Sequence, residues 1–227
     1  MILGESGSGK STSLRNLDPA KVLLIQAVPK PLPFRSANWT RFDMASKTGS
    51  VLVSDNPQAI VGCLKNAHTI GKEIVIIDDF QYVMANEFMR RSAETGYNKF
   101  TEIGRNAWDI ANAAAGAPPH VRTYLMSHVD RDDMGRVKAK TIGKMIDEKI
   151  CLEGMFSIVL RSVVMDGQYL FTTVTNGMDT AKSPMGMFSA TMVPNDLNAV
   201  DAAICDFYGL AAPAPVEPPT EAAPEAA

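Results

Sequence analysis

Residues 4–11 of the chain read GESGSGKS and match the phosphate-loop motif G-x-x-x-x-G-K-[ST] at each fixed position. Glycines let the backbone turn tightly and point successive N–H groups toward an anion. Lys10 supplies a positive charge for β- and γ-phosphates, and the Ser11 hydroxyl is a hard oxygen ligand suited to Mg²⁺. The stretch therefore predicts a site for ATP and Mg²⁺ built from Gly4, Glu5, Ser6, Gly7, Ser8, Gly9, Lys10, Ser11 and Thr12.

The residues on either side of this loop favour a strand–loop–helix unit. Met1, Ile2 and Leu3 are apolar, and residues 11–16 suit a short helix whose positive end faces the loop. A flexible Gly/Ser linker would lack both flanks. Since strands usually run about 5–6 residues, the first strand is either unusually short or the chain begins upstream of Met1.

Length and composition predict one α/β domain in the cytoplasm. The chain has 227 residues, of which 46% are hydrophobic. Such folds often run about 200–250 residues undivided. No apolar run approaches the roughly 20 residues that cross a bilayer, and no signal peptide precedes the loop, so we expect no membrane partner. The scattered Cys63, Cys151 and Cys205 are expected to be reduced thiols.

Charge is distributed unevenly between the body of the chain and its end. The net charge of −3 gives no general signal for nucleic-acid binding. The last residues contain Glu217, Glu221 and Glu225 but neither Lys nor Arg, so the body alone has no net charge. We predict a single domain at 1–209 and a disordered, acidic, Ala/Pro/Glu-rich tail at 210–227.

A carboxylate pair ends the apolar stretch EIVIIDD at residues 73–79. Consecutive β-branched residues predict a central parallel strand that is buried on both faces. Side chains after such a strand lie where ligands bind in open α/β sheets. We predict that Asp78 holds Mg²⁺ and that Asp79 orients the attacking water. The alternative is a strand followed by a capping aspartate pair.

Further strands and helices are predicted around this element. The patterning indicates buried strands at 21–26 and 120–127, short edge strands at 39–44 and 50–54, and helices at 57–70, 82–93 and 98–115. His128 follows the strand at 120–127, where a polar side chain can contact a γ-phosphate. An ordinary loop histidine is the alternative.

The most polar stretch of the body spans residues 130–144. It contains Arg136, Lys138 and Lys140, diluted by several aspartates. A solvated loop is the simplest interpretation. A mobile, basic, glycine-containing loop beside a nucleotide site is also what contact with DNA phosphates requires. These three residues are therefore candidate contacts to DNA, with single-stranded DNA as the expected partner.

The last part of the domain predicts a hairpin and a helix. A short helix at 142–151 precedes strands at 155–164 and 168–175, which Asp166-Gly167 joins as a hairpin turn. A final helix begins after a cap at Asn195 or Asp196 and ends near Tyr208, where Gly209 terminates it.

Taken together, these motifs resemble the RecA superfamily, and most closely the RecA-like ATP-binding proteins of tailed phages associated with single-strand annealing and recombination. The resemblance covers residues 1–188 and rests on GESGSGKS, KPLPF (30–34), IVIIDD, LMSHVD, Gly143-Lys144 and Ala181-Lys182. It implies an α/β RecA-like P-loop NTPase core with a mostly parallel central sheet, flanking helices and a C-terminal β-hairpin. It also implies Mg²⁺-dependent ATP hydrolysis coupled to DNA binding in recombination, annealing or replication. The implied assembly is a homo-oligomer with ATP at the subunit interface, in a bacterial or phage-infected cell.

The same resemblance bears on the catalytic residues. RecA-type enzymes often place a catalytic Glu after an early strand, where this chain has Gln26. We therefore assign water activation to Asp79. Lys182 resembles by its position the lysines that RecA-type proteins project onto a neighbour's γ-phosphate, although an exposed loop lysine is the alternative. The candidate catalytic residues are Lys10, Asp79, His128 and Lys182.

Other P-loop classes remain as alternatives. The Asp78-Asp79 pair also resembles that of AAA+ initiators and helicase loaders. An AAA+ module should continue after the strand at 120–127 into a helical lid with a sensor arginine, whereas this chain predicts a hairpin there. A non-DNA P-loop ATPase or a kinase is the remaining possibility, but a kinase lid needs several arginines, and residues 130–144 mix both signs of charge.

Overall fold

The computed structural model describes residues 1–210 and, within the helix at 144–149, leaves the side chains at 144, 145 and 147 undescribed. Of the predicted tail, residues 211–227 lie outside the described residues. The strands are β1 Ile2–Gly4, β2 Val22–Gln26, β3 Val51–Val53, β4 Ile74–Asp78, β5 Arg122–Ser127, β6 Val129–Arg131, β7 Val137–Ala139, β8 Leu160–Met165, β9 Gln168–Thr172 and β10 Met192–Pro194.

Helices connect and cover these strands. The α-helices are α1 Pro57–Asn66, α2 Gln81–Arg90, α3 Asn98–Ala115, α4 Lys144–Lys149 and α5 Leu197–Tyr208. Short 3-10 helices span Ser11–Asn16, Ala67–Ile70 and Leu152–Met155. Within residues 1–210, no helix combines the length and the apolar character needed to cross a bilayer.

The main sheet has eight strands in the order β10-β9-β8-β1-β5-β4-β2-β3. The run from β8 to β3 is parallel, and β9 and β10 add to it antiparallel. The first strand of the chain is thus an interior strand of the sheet, between β5 and β8. The predicted fold class is confirmed: an α/β fold with a mostly parallel sheet, flanking helices and the β8–β9 hairpin.

Both faces of the sheet are buried, and alternate residues of each strand supply them. Leu23 and Ile25 of β2 pack into one apolar cluster together with residues of α1, α2 and α3. Leu24, the residue between them, packs into the opposite cluster with Leu14 and residues of α5. A strand covered on both faces favours apolar residues at successive positions, which explains the apolar runs of β2 and β4 before their polar last residues, Gln26 and Asp78.

The structure differs from the sequence expectation at the polar stretch. Residues 129–139 form an antiparallel two-stranded ribbon, β6–β7, instead of a loop. Its turn includes Gly135 at a φ of 77°, which favours glycine. Each strand has only three residues, too few to show the alternating apolar pattern that identifies longer strands.

Three smaller expectations also change. The segment 39–44 forms isolated bridges and no strand, while β3 occupies the second predicted edge position. The strand β10 pairs with β9 at residues for which no element was predicted, and α4 is shorter than the predicted helix. The capped helix α5 is confirmed: the Asp196 side chain accepts a hydrogen bond from the N–H of Asn198, and Gly209 is left-handed.

Candidate functional site

The phosphate loop leaves β1 at a point where only glycine fits. A Cβ atom at Gly4 would lie 2.4 Å from Ser8 Oγ and 2.9 Å from the carbonyl oxygen of Ser162 in β8. Gly9 has a φ of 94°, and a Cβ atom there would lie 2.7 Å from the Tyr169 ring. Neighbouring strands therefore press directly on the loop, and its backbone path depends on these glycines.

Lys10 is buried inside the curve of the loop. Its side chain donates hydrogen bonds from Nζ to the carbonyl oxygens of Gly4 at 2.8 Å and Glu5 at 2.9 Å. Burial lowers the pKa of Lys10, and the nearby charges of Asp79 and Asp78 oppose that shift. The loop thus fixes one cationic group at its mouth, where a phosphate would meet it.

Ser11 and Asp78 meet at the carboxyl end of β4. The Ser11 hydroxyl donates a hydrogen bond of 2.9 Å to Asp78 Oδ2. Asp78 is 2% exposed, and its Oδ1 atom has no partner among the described residues. Burial, followed by the charge of Asp79, raises the pKa of the Asp78 carboxyl. A hydroxyl and a carboxylate oxygen with unmet bonding capacity fit the oxygen ligands that Mg²⁺ takes beside phosphates.

Within residues 1–210, no group of three or more His, Cys, Asp or Glu side chains could hold a metal ion by itself. A cation at Ser11 and Asp78 would therefore need further oxygens from phosphates and water. This is the usual way in which proteins bind Mg²⁺ at nucleotide sites.

Asp79 lies next to this pair, and both of its carboxylate oxygens have partners. Oδ2 forms an ion pair with Lys30, and Oδ1 lies 3.3 Å from His128 Nε2. The residue is 3% exposed and has a φ of 61°, a conformation that non-glycine residues rarely adopt outside functional or turn positions. The structure thus groups Asp79, His128 and Lys30 at the mouth of the loop.

Two pKa shifts in this group follow from burial and charge. Burial and the positive charge of Lys10 lower the pKa of His128, so its imidazole is neutral at pH 7. Burial alone would lower the pKa of Lys30, but its hydrogen bond to Asp79 and the charge of that carboxylate raise it. The group therefore contains one carboxylate, one ammonium ion and one neutral imidazole.

These side chains line a single open cleft of about 300 Å³. Its walls are formed by Ser6, Gly7, Gly9, Lys10, Ser11, Thr12, Lys30, Pro33, Asp79, His128 and Tyr169. The fold therefore brings together the predicted residues Lys10, Ser11, Asp79 and His128. Larger depressions of about 510 and 560 Å³ lie elsewhere and are lined mainly by apolar side chains.

Sequence reasoning assigned no role to several residues of the cleft. Lys30 and Tyr169 line it. The Gln26 side chain donates a hydrogen bond of 3.0 Å to the carbonyl of Lys30. The Gln81 side chain accepts a hydrogen bond of 3.1 Å at Oε1 from the N–H of His128. One signal could have identified Lys30. It follows the carboxyl end of β2, and parallel strands place such residues at the same sheet edge as Asp78.

Lys182 lies outside this cleft. Its backbone N–H and carbonyl pair with Val159 at 2.8 Å each, just before β8 begins. This position is toward the Met1 end of the sheet, whereas the phosphate loop leaves the other end of β1. The exposed side chain of Lys182 therefore has no place in the cleft of its own chain, and its role across an interface stays a prediction.

The β6–β7 ribbon starts directly beside the cleft. The N–H of Lys140 donates a hydrogen bond of 2.9 Å to the carbonyl of His128. Arg136 is exposed and its Nε lies 2.8 Å from Asp132 Oδ2, so a neighbouring carboxylate offsets part of its charge. Lys138 lies in β7, and Lys140 directly follows that strand, so the three basic residues lie within or next to the ribbon.

Comparisons with known proteins add little to this description. No protein-family model matches the chain, and no curated protein matches it in sequence. Among solved structures, the chain is similar to a KaiC-like protein from the hyperthermophilic archaeon Pyrococcus horikoshii. That likeness has 12% sequence identity and a TM-score of 0.36, and it covers 75% of this chain and 74% of the other. At this level it carries no argument about function, which rests on the cleft itself.

Proposed function

We propose that the chain is a P-loop ATPase that binds ATP with Mg²⁺ and hydrolyses it in the cleft of the phosphate loop. The observation that carries this proposal is the meeting of three groups from separate parts of the sequence. The buried ammonium of Lys10, the hydroxyl of Ser11 and the carboxylate of Asp78 lie together at one sheet edge. These are the charge and the oxygen ligands that the motif requires.

The residues of the cleft support a division of roles. The loop N–H groups and Lys10 would bind the phosphate chain, and Ser11 with Asp78 would hold Mg²⁺. Bound Mg²⁺ neutralises charge on the phosphate oxygens. Asp79 would orient the attacking water, and His128 would contact the γ-phosphate as a neutral hydrogen-bond donor. The position of Lys10, Ser11, Asp79 and His128 in the lining of one cleft supports these roles.

More particularly, we propose a RecA-like ATPase that acts with DNA in recombination, annealing or replication. The support is the position of the basic ribbon, since a backbone hydrogen bond joins Lys140 to His128. A shift of His128 on contact with a γ-phosphate would then change the position of Arg136, Lys138 and Lys140. Single-stranded DNA is the proposed partner, and a homo-oligomer with ATP between subunits is the proposed assembly.

An AAA+-type helicase loader or remodelling ATPase is the second candidate, favoured by the Asp78-Asp79 pair at the end of β4. The β8–β9 hairpin that completes the sheet after β5 favours the RecA-like proposal over it. A non-DNA P-loop ATPase or kinase would share the cleft but would make no use of the ribbon.

ATP turnover by the full chain, measured alone and with single-stranded or double-stranded DNA, tests this proposal. We expect Mg²⁺-dependent turnover that single-stranded DNA stimulates. Lys10→Ala should abolish binding or turnover and leave the fold intact, because its ammonium bonds only loop carbonyls. Normal ATP affinity and turnover in Lys10→Ala would contradict the nucleotide site, whereas turnover indifferent to DNA would support the non-DNA candidates.

A further inference from the structure

A second lysine forms part of the cleft, on the side of Asp79. Lys30 lies four residues beyond Gln26, the last residue of β2. Its ammonium group pairs with the carboxylate of Asp79, and its side chain remains 48% exposed. Among the described residues, two lysine side chains thus line the cleft, Lys10 buried in the loop and Lys30 beside Asp79.

The position of Lys30 is fixed from two directions. The buried Gln26 side chain donates a hydrogen bond of 3.0 Å to the Lys30 carbonyl, and Gln26 pairs with Asp78 in the sheet register. Pro29 and Pro31 flank the lysine and restrict the backbone there. The ammonium is held by Asp79, itself buried and in the left-handed conformation. A residue held by several independent contacts in this way is typical of functional positions.

The order of residues along the cleft identifies what Lys30 would contact. In a P-loop site the loop N–H groups bind the phosphates, and Mg²⁺ would be held beside them. Ser11 and Asp78 are the residues that would hold Mg²⁺ here. Asp79 contacts both Lys30 and His128, the proposed γ-phosphate contact, so Lys30 lies at the same end of the cleft as His128.

We propose that Lys30 binds the terminal phosphate of a nucleoside triphosphate, with Gln26 and Asp79 as positioning residues, so that the cleft discriminates triphosphate from diphosphate. This inference rests on the proposed nucleotide site. It also explains the buried Gln26, because the Gln26 side chain fixes the segment that carries the cation.

Binding of a non-hydrolysable ATP analogue and of ADP, each with Mg²⁺, tests the inference by calorimetry on the full chain. Lys30→Met should weaken the analogue about 10- to 100-fold and change ADP less than about twofold, because a single charged hydrogen bond is lost. Lys21→Met is the matched control. Lys21 is 47% exposed, pairs with Glu73 at 3.2 Å and directly precedes β2, at the strand end away from the cleft. It should change neither affinity.

In Lys30→Met the Asp79 carboxylate loses its ion pair with Lys30, which could destabilise the variant. The double variant Lys30→Met/Asp79→Asn removes that unpaired charge as well. It should show the same selective loss of the analogue. Equal loss of analogue and ADP, or no loss of either in a folded variant, would overturn the role of Lys30 and leave the nucleotide site standing. Failure of the parent chain to bind either nucleotide would overturn the proposed function as well.

Discussion

The Ser11 hydroxyl and Asp78 Oδ2 lie 2.9 Å apart, although 67 residues separate them in the sequence. The contact joins the phosphate loop to the carboxyl end of β4, across the intervening strand β5. It leaves Asp78 Oδ1 buried without a partner among the described residues. Burying a carboxylate oxygen without a partner costs free energy unless a ligand binds to it.

Asp78→Asn and Asp79→Asn should have different effects. Loss of the Asp78 charge should weaken Mg²⁺-dependent ATP binding about tenfold or more, since a metal ligand is lost. Asp79→Asn should weaken ATP binding less than Asp78→Asn does and slow hydrolysis about 100-fold or more. Asn tolerates the left-handed backbone at this position, so the fold should survive. Equilibrium binding with and without EDTA, together with steady-state turnover, measures both effects. Normal turnover by Asp79→Asn would place water activation elsewhere.

The ribbon prediction concerns the salt dependence of DNA binding. If Arg136, Lys138 and Lys140 contact phosphates, replacing all three by Gln should reduce the slope of log affinity against log salt by about 2 for single-stranded DNA. A control triple at exposed basic residues outside the ribbon, Arg41, Lys65 and Arg105, should leave the slope unchanged. Fluorescence anisotropy over a salt series measures it. Equal slopes for the two triples would show that the ribbon does not bind DNA.

The trans-acting role of Lys182 predicts complementation between variants. Lys182→Ala should fold normally, because its bonds to Val159 involve only the backbone. It should bind ATP but hydrolyse it poorly. Mixing it with Lys10→Ala subunits should restore part of the turnover, since those subunits lend an intact Lys182. Lys65→Ala, an exposed lysine on α1, serves as the control. Parent-like hydrolysis by Lys182→Ala alone would rule the role out.

A stability prediction concerns the attachment of α5 to the sheet. Asp201 bonds Arg122 Nη2 at 2.8 Å and accepts a hydrogen bond of 2.6 Å from the Tyr124 hydroxyl, and all three side chains are largely buried. Burial and the charge of Asp201 raise the pKa of Tyr124, so the hydroxyl stays a donor at neutral pH. Asp201→Asn should lower the free energy of unfolding by about 2–3 kcal/mol, because Arg122 loses its hydrogen-bonded carboxylate and keeps only the more distant Glu73, 3.6 Å from Nη2.

Urea denaturation checks this value. Asp206→Asn, at an exposed position of the same helix, should change the free energy of unfolding by less than about 0.5 kcal/mol. Tyr124→Phe should cost about 1–2 kcal/mol, since Asp201 keeps its bonds to Arg122. A parent-like unfolding midpoint for Asp201→Asn would show that the pair contributes no net stability.

Local patterns were enough to predict much of the fold. The helix α3 has the predicted bounds, and β4 with its two aspartates lies where the apolar run indicated. These elements depend on their own periodicity and composition. Lys30 and Tyr169 were missed because their importance comes from contacts between segments far apart in the sequence. The ribbon β6–β7 was missed for a related reason, since its short strands are fixed by neighbours such as His128 and Met178.

The interior position of β1 has a consequence for how the chain folds. Ile2 pairs with Met126 on one side and with Leu160 on the other. A ribosome delivers the phosphate loop well before the strands β5 and β8 that brace it. The loop therefore lacks its neighbouring strands during much of synthesis. Pairing between segments so far apart in the sequence slows folding. Chains truncated before β8 should accordingly be poor nucleotide binders even though they retain every residue of the phosphate-loop motif.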